Sequence, residues 1–449
     1  MAAGATTKKR GMMDVLRALK QPKVAAMLAL GFASGLPFLL TANTFGYWLR
    51  EEGTSLKAIG FLSWVSLAYG MKFLWAPLID RLDAPLLGRW LGRRRGWMVL
   101  SQVIVAAGLI GMGLTGPHAG LSTVAGFAVL VAFASATQDI VIDAWRIEIA
   151  DDGNELGLLT SAVQIGYRVA LLAADALILV LADKIGWPGS YLTYGVLMSI
   201  GVAGALMAVE PSRADAVMAA NAAQKPLWTP RGLWDAIAGP FIEFFTAHGA
   251  FALLILVTIT LYHLSDYVRG PISNPFYHDL GLTKSTVGWV RTIALTGTFS
   301  GIAVGGFCAL RFGYFKTLIA GAVLQPIGIA LFAGLALWGV TIPSFITVMI
   351  LDNFAIGFSG VALVTYMSSL TSLGYTATQY AVMTSALAWT GKFLKGFSGA
   401  AVEALQSGRD LMHAYALFYL GAAAIGIPAV ILCFFLVRPP AKPEAATPA

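Results

Sequence analysis

Runs of about 20 apolar residues recur along this chain almost from end to end, separated by short polar breaks. Each run is long enough to cross the hydrocarbon of a bilayer as a helix. In lipid, only helices and closed barrels satisfy the backbone's hydrogen-bonding groups internally. The sequence is 57% hydrophobic and only 12% charged, too little polar surface to cover a water-soluble globule. We count about twelve spans. Their cores are residues 24–49, 58–79, 97–114, 121–147, 158–181 and 191–209, then, after a polar stretch, 250–267, 287–310, 317–338, 343–370, 379–402 and 413–437. The expected fold class is an all-α membrane protein of about twelve transmembrane helices in two six-helix halves.

The formal net charge of +7 would suggest nucleic acid in a soluble protein, but here the charges are sorted by side of the membrane. Lys8, Lys9, Arg10, Arg17, Lys20 and Lys23 precede the first span, and Arg81, Arg89, Arg93, Arg94 and Arg95 follow the second. Arg213, Lys225, Arg231, Arg311, Lys316, Arg438 and Lys442 fall on the same side. The opposite side has few: Arg50, Lys57, Lys184, Arg269, Lys284 and Arg409. The positive-inside rule places both termini in the cytoplasm. The first apolar run is too long for a signal-peptide core and reads as a retained span. Cys308 and Cys433 lie within spans and imply neither a disulfide nor a metal framework.

The polar, Ala-rich stretch and the amphipathic residues after it divide the chain. Residues 1–23 form a cytoplasmic segment, 24–209 and 250–437 the two bundles, 210–249 a cytoplasmic linker with an interfacial helix, and 438–449 a tail. Corresponding turns in the two halves share basic residues. Asp80-Arg81 and Gly92-Arg93-Arg94-Arg95 follow the second span, and Arg311, Gly313 and Lys316 follow the eighth. This plan resembles the major facilitator superfamily, whose loop pattern G-x-x-x-D-R-x-G-R-[RK] is interrupted here by an insert over residues 82–91.

Ionisable residues inside spans are costly and line water-filled paths or pair with one another. Lys72, Arg168, Arg291, Lys392 and Lys395 are the span cations, and Asp139, Asp143, Asp175 and Asp352 the span carboxylates. Lying on the second, fifth, eighth and eleventh helices, the cations would face one cavity and suit an anionic solute. Asp139 and Asp143 are spaced i,i+4 and Arg146 follows three residues on, so the fourth span has one acidic-then-basic face that also carries Gln138 and Glu148. Asp139 is the expected proton-coupling carboxylate. Asp143 and Arg146 are expected to form an inner gate with Asp80 and Arg81. His263, Asp266 and Arg269 form a candidate outer-gate network, with interfacial solvation as the plainer reading. Gly31, Gly35 and Pro37 serve either helix packing or gating.

Four strings carry a closer resemblance: GFASGLPFLLTANTFGYWLREEG from Gly31, KFLWAPLIDR from Lys72, ATQDIVIDAWR from Ala136 and YTATQYAVMTSALAWTGK from Tyr375. They resemble the AmpG-type permeases. The resemblance implies proton-driven uptake of N-acetylglucosaminyl-1,6-anhydro-N-acetylmuramyl peptides from periplasm to cytoplasm across a bacterial inner membrane, for peptidoglycan recycling. It supports Lys72, Gln138, Asp139, Asp143 and Arg146 as site residues. Gln164, Tyr167, Arg168, Arg291, Trp389 and Lys392 complete the candidate substrate-binding set, with aromatic rings packing on sugar faces. The expected partners are an anionic glycopeptide, protons and the bilayer, with no nucleic acid and no cofactor, and the protein is expected to act as a monomer. Alternatives are a carrier of another bulky anion such as acetyl-coenzyme A, or a muropeptide sensor, although neither linker nor tail is long enough for a soluble output domain. No phosphate-cradling glycine loop, metal-ligand spacing or nucleophile motif points to an enzyme.

Overall fold

The computed structural model describes residues 21–54, 62, 65, 67–117, 120–211, 229–372, 375–394 and 397–436. These trace twelve passes. The first is α1 (Pro22–Leu40) and α2 (Asn43–Glu51), broken after Pro37, which has no N–H to donate. The described part of the second is α3 (Leu67–Met71), a tight turn at Lys72–Leu74, and α4 (Ala76–Arg81). A short α5 (Gly88–Leu91) leads to the third pass, α6 (Arg93–Thr115), and the fourth is α7 (Leu121–Ile149). Asp152 accepts from the Glu155 N–H at 2.7 Å and so caps α8 (Gly153–Leu172), the start of the fifth pass. A π-helical segment, Ala173–Leu177, joins α8 to α9 (Ile178–Leu197), which folds back at Gly186 (φ 72°); α10 (Ser199–Met207) completes the sixth.

The linker residues described from 230 on form α11 (Pro230–His248). The seventh pass is α12 (Phe251–Tyr262), α13 (Leu264–Arg269) and α14 (Ser273–Asp279), two short helices longer than its apolar core suggests. Then come α15 (Lys284–Phe312), α16 (Tyr314–Trp338) and α17 (Ile342–Ser369). The eleventh pass is α18 (Thr376–Leu394) with α19 (Ser398–Gln406), and α20 (Leu411–Phe435) is the twelfth.

Among the described residues, nine helices are long and apolar enough to span a bilayer on those grounds alone. The second, fifth and eleventh passes are not among them. These three carry Lys72, Arg168 and Lys392, while charged residues also lie on passes that qualify, Asp139 and Asp143 on the fourth and Arg291 on the eighth.

Close helix packing holds each half together. In the first half α1 lies along α8, and a side chain at Gly31 would meet the Val163 carbonyl oxygen at 2.2 Å. Gly31 and Gly35 are therefore used for backbone approach, the packing role of small residues in membranes. In the second half α15 packs on α17, and α16 on α20 and α17.

The halves meet at the end that carries the linker. There α8 contacts α15 and α17, and α18 contacts α4 and α7. The Ser161 hydroxyl donates to the Ile302 carbonyl at 2.7 Å, and Gly157 lies against Ala309. At the far end, the described pieces α2, α9, α14 and α19 make their substantial contacts within their own half. The molecule is clamped at its linker end.

Candidate functional site

The clamp is built around Asp80, the next-to-last residue of α4 and almost wholly buried. Its carboxylate accepts from the Arg94 guanidinium at 2.9 Å within its own half. Across the seam it accepts from the backbone N–H groups of Ala377 (3.2 Å) and Thr378 (2.9 Å) and from the Thr378 hydroxyl (2.8 Å). These residues open α18, so the anion sits where a helix N-terminus leaves N–H groups unpaired and concentrates positive partial charge. Arg94 is fully buried. It also donates to Glu148 from Nε at 3.0 Å and from a terminal nitrogen at 2.5 Å. Glu210 accepts from the backbone N–H groups of Arg94 (2.7 Å) and Arg95 (3.1 Å) at the start of α6, and Arg93 donates to the Asp80 carbonyl.

One layer deeper lies a second ion group. Lys72 Nζ is 3.9 Å from Asp143, and Arg146 is 3.1 Å from the other oxygen of the same carboxylate. Arg146 also donates to the Thr160 hydroxyl of α8 and places its guanidinium 5.5 Å from the centroid of the Tyr380 ring on α18. Asp139 is one helical turn further from the linker end. It accepts from the Ser34 hydroxyl of α1, and Lys72 and Asp143 are the charges that act on it. At 1.5 Å per residue, Asp139 lies about 15 Å from the end of α7, near mid-bilayer.

The structure thus brings Asp143, Arg146 and Lys72 together and sets Asp139 beside them. It separates the expected four-residue inner gate into two layers, because Asp80 is engaged by Arg94 rather than by the Asp143–Arg146 pair. Arg81 lies half-buried at the end of α4. Gln138 is buried inside the first bundle, and among the described residues both of its amide atoms lack hydrogen-bond partners; the Ser135 hydroxyl on the same helix and the Tyr69 hydroxyl on α3 lie near each other in the same buried region. Buried polar atoms of this kind call for water or a ligand's polar groups.

Gln164, Tyr167 and Arg168 are half-buried on α8. The Gln164 amide reaches the seam, since a side chain at Gly360 of α17 would meet its oxygen at 3.4 Å. Among the described residues no carboxylate is seen paired with Arg168. Arg291 is exposed on α15, its guanidinium 5.8 Å from the Tyr277 ring centroid. Trp389 and Lys392 fall in α18, but their side chains lie outside the described residues, as do Lys395 and the side chain of Asp175.

The candidate outer-gate trio is rearranged. Arg269 does bind Asp266 (2.8 Å), but its second carboxylate partner is Asp352 of α17 at 2.9 Å, while His263 Nδ1 lies 2.9 Å from the Gln325 amide nitrogen of α16. The sequence reading also missed Thr378, Tyr380 and Glu210 as partners. Thr378 and Tyr380 sit inside the YTATQY string, whose polar order was the available signal.

Twelve passes in two halves, closed at one end over a buried ionic seam, define a multi-pass membrane transporter. The sequence pattern of the Major Facilitator Superfamily matches residues 25–277. The "Anhydromuropeptide permease" of Escherichia coli (strain K12) is 34% identical over 93% of this chain and 80% of its own length. The "Putative transporter AmpG 4" of Rickettsia conorii is 28% identical over 94% of this chain and 99% of its own. Among solved structures, the proton:xylose symporter XylE bound to 6-bromo-6-deoxy-D-glucose is similar in fold, with a TM-score of 0.61 at 13% identity, covering 93% of this chain and 95% of that one. The chain belongs to the major facilitator superfamily and, within it, to the AmpG-type permeases.

Proposed function

We propose that this permease imports anhydromuropeptides, N-acetylglucosaminyl-1,6-anhydro-N-acetylmuramyl peptides, from periplasm to cytoplasm with protons, by alternating access. The linker end is the cytoplasmic one in this reading, in keeping with the surplus of Lys and Arg there. The clamped arrangement is then the state that faces the periplasm. The similarity to a permease named for this solute supports the substrate class. Lys72, Arg168, Arg291 and Lys392 supply cations for the peptide carboxylates, and the Gln138 amide, which has no partner among the described residues, supplies groups for sugar hydroxyls or the waters that accompany them.

The observation that carries the coupling assignment is the inequality of two carboxylates one turn apart on α7. Asp143 is engaged by two cations, Lys72 and Arg146, whereas Asp139 is hydrogen-bonded by the neutral Ser34 hydroxyl. Asp139 is the carboxylate that can gain and lose a proton without breaking an ion pair, and opening to either side in turn exposes it to different proton concentrations.

The test is uptake of radiolabelled anhydromuropeptide into right-side-out and inverted vesicles, with and without an imposed pH gradient, for wild type and Asp139→Asn. Gradient-driven accumulation by wild type, lost in the variant while solute exchange persists, is the expected result. Accumulation retained in Asp139→Asn removes the coupling assignment. No uptake under any gradient removes the substrate assignment, and competition by coenzyme A esters would then redirect it.

A further inference from the structure

The insert between α4 and α6, residues 82–91, is absorbed by neither clamp nor cavity, yet it is firmly built. The Trp97 indole donates to the Leu82 carbonyl at 2.8 Å, and the Gly88 N–H donates to the Ala84 carbonyl at 2.9 Å. Leu87 and Leu91, four residues apart, pack on the first-half core. The other pair at the same spacing, Leu86 and Trp90, points away from it: Leu86 is 87% exposed and Trp90 82%. Leu86 also holds a φ of 65°, a left-handed conformation that a branched aliphatic residue adopts only where its surroundings require it. The turn therefore presents two large apolar side chains outward at the end of the spans.

Two observations say what covers them. The patch is continuous with surface that already faces lipid. Gly92 abuts Glu210, and Arg95 donates to the carbonyls of Ala205 and Leu206. Those contacts bring the start of α6, directly after the insert, to the end of α10, where Leu206, Met207 and Val209 are exposed. The charge is also complementary. Arg89 is exposed between the two apolar side chains, and this face carries the basic surplus of the sequence. Leu and Trp flanking an Arg at the end of a span is the composition of an interfacial anchor.

We propose that residues 82–91 form a membrane wedge that seats in an anionic phospholipid leaflet, with Leu86 and Trp90 at the acyl boundary and Arg89 on lipid phosphate. The wedge is distinct from the transport site and does not depend on which solute is carried. It fixes the start of α6, which bears Arg93 and Arg94, to the membrane plane while the helices tilt.

The test uses the full chain with Cys308 and Cys433 replaced by alanine, carrying Leu86→Cys, Trp90→Cys or, as a control in the same loop, Asp83→Cys, each labelled with bimane. The protein is reconstituted in vesicles of mixed phosphatidylethanolamine and phosphatidylglycerol, or of phosphatidylcholine alone. A nitroxide lipid with the quencher near the headgroup is expected to quench the labels at 86 and 90 at least threefold more than iodide does, with the reverse order at 83. In phosphatidylcholine the lipid quenching is expected to fall at least twofold, and to fall similarly in the anionic vesicles when Arg89→Gln is added. Iodide quenching at 86 and 90 equal to that at 83 would overturn the wedge and leave the patch to a protein partner. Equal lipid quenching in both vesicle types would overturn the role of anionic headgroups. The Trp90→Cys label guards against distortion of the strained turn by substitution at Leu86.

Discussion

Replacing Asp80 with asparagine should release the linker-end clamp, and its geometry sets the size of the effect. The carboxylate accepts four bonds, one from Arg94 in its own half and three from Ala377 and Thr378 across the seam. When the halves separate at this end the Arg94 bond is retained, so only the three cross-seam bonds favour the clamped state. Hydrogen bonds to a charged group contribute about 1.5–3 kcal/mol each, and an asparagine oxygen can keep one as a weaker neutral bond. The loss is at least about 3 kcal/mol, or at least about 100-fold in the ratio of clamped to open molecules. Removing only the hydroxyl, with Thr378→Val, should cost about 1.5 kcal/mol, or about tenfold. Spin labels at Leu82→Cys and Phe312→Cys, in a background with both native cysteines replaced, report separation across this end by double electron–electron resonance. Asp80→Asn should populate a longer distance strongly, with Thr378→Val between it and wild type. A shift smaller than about threefold in Asp80→Asn would refute the argument that these bonds hold the state.

Gly31→Ala should lower the unfolding midpoint, because its Cβ would lie 2.2 Å from the Val163 carbonyl oxygen and overpacking of this kind costs about 1–3 kcal/mol; Gly126→Ala, which meets nothing within 4 Å, should leave it unchanged in a thermal-shift assay. Arg168→Gln should raise KM about 10- to 100-fold for an anionic solute with little change in kcat, the signature of a binding contact made equally in ground and transition states. Tyr380→Phe should keep the aromatic face beneath Arg146 and preserve transport. Tyr380→Leu should lose a contact worth about 1 kcal/mol and shift the ratio of clamped to open populations in the spin-label distance distribution about fivefold toward the open form.

The spans were legible because lipid imposes one rule on every residue that crosses it, and apolar length reports that rule directly. The helix breaks at Lys72–Leu74 and Ala173–Leu177 were not, since a tight turn and a π-helical segment leave the apolar pattern almost unchanged. Charges inside spans were visible at once, and so was the i,i+4 spacing that puts Asp139 and Asp143 on one face of α7. Their partners were harder. Lys72 to Asp143 and Arg269 to Asp352 are pairings between distant helices, set by the rotation of each helix about its axis, which no local spacing encodes. Asp80 reads as a gate residue, but its partners cannot be read until α18 is placed against it. Its chief cross-seam partners are backbone N–H groups, which carry no side-chain signal at all.

The ionic groups then divide by whether they cross between the halves. The Arg269 group, with Asp266 and Asp352, lies wholly in the second half, and the Lys72–Asp143 pair wholly in the first. Groups confined to one half ride with it as it tilts and by themselves favour neither state. Asp80 and Ser161 do cross, but their donors and acceptors are spent on the clamp itself. Arg146 alone among the described ion pairs touches both matters at once: it holds Asp143 beside the candidate coupling carboxylate and rests on the Tyr380 ring of the opposite half. A change of charge at Asp139 alters the field on Lys72 and Asp143, and through Asp143 the hold on Arg146. If the occupancy of the cavity is to be felt at the clamp, Arg146 is the side chain through which the shortest contiguous set of contacts runs.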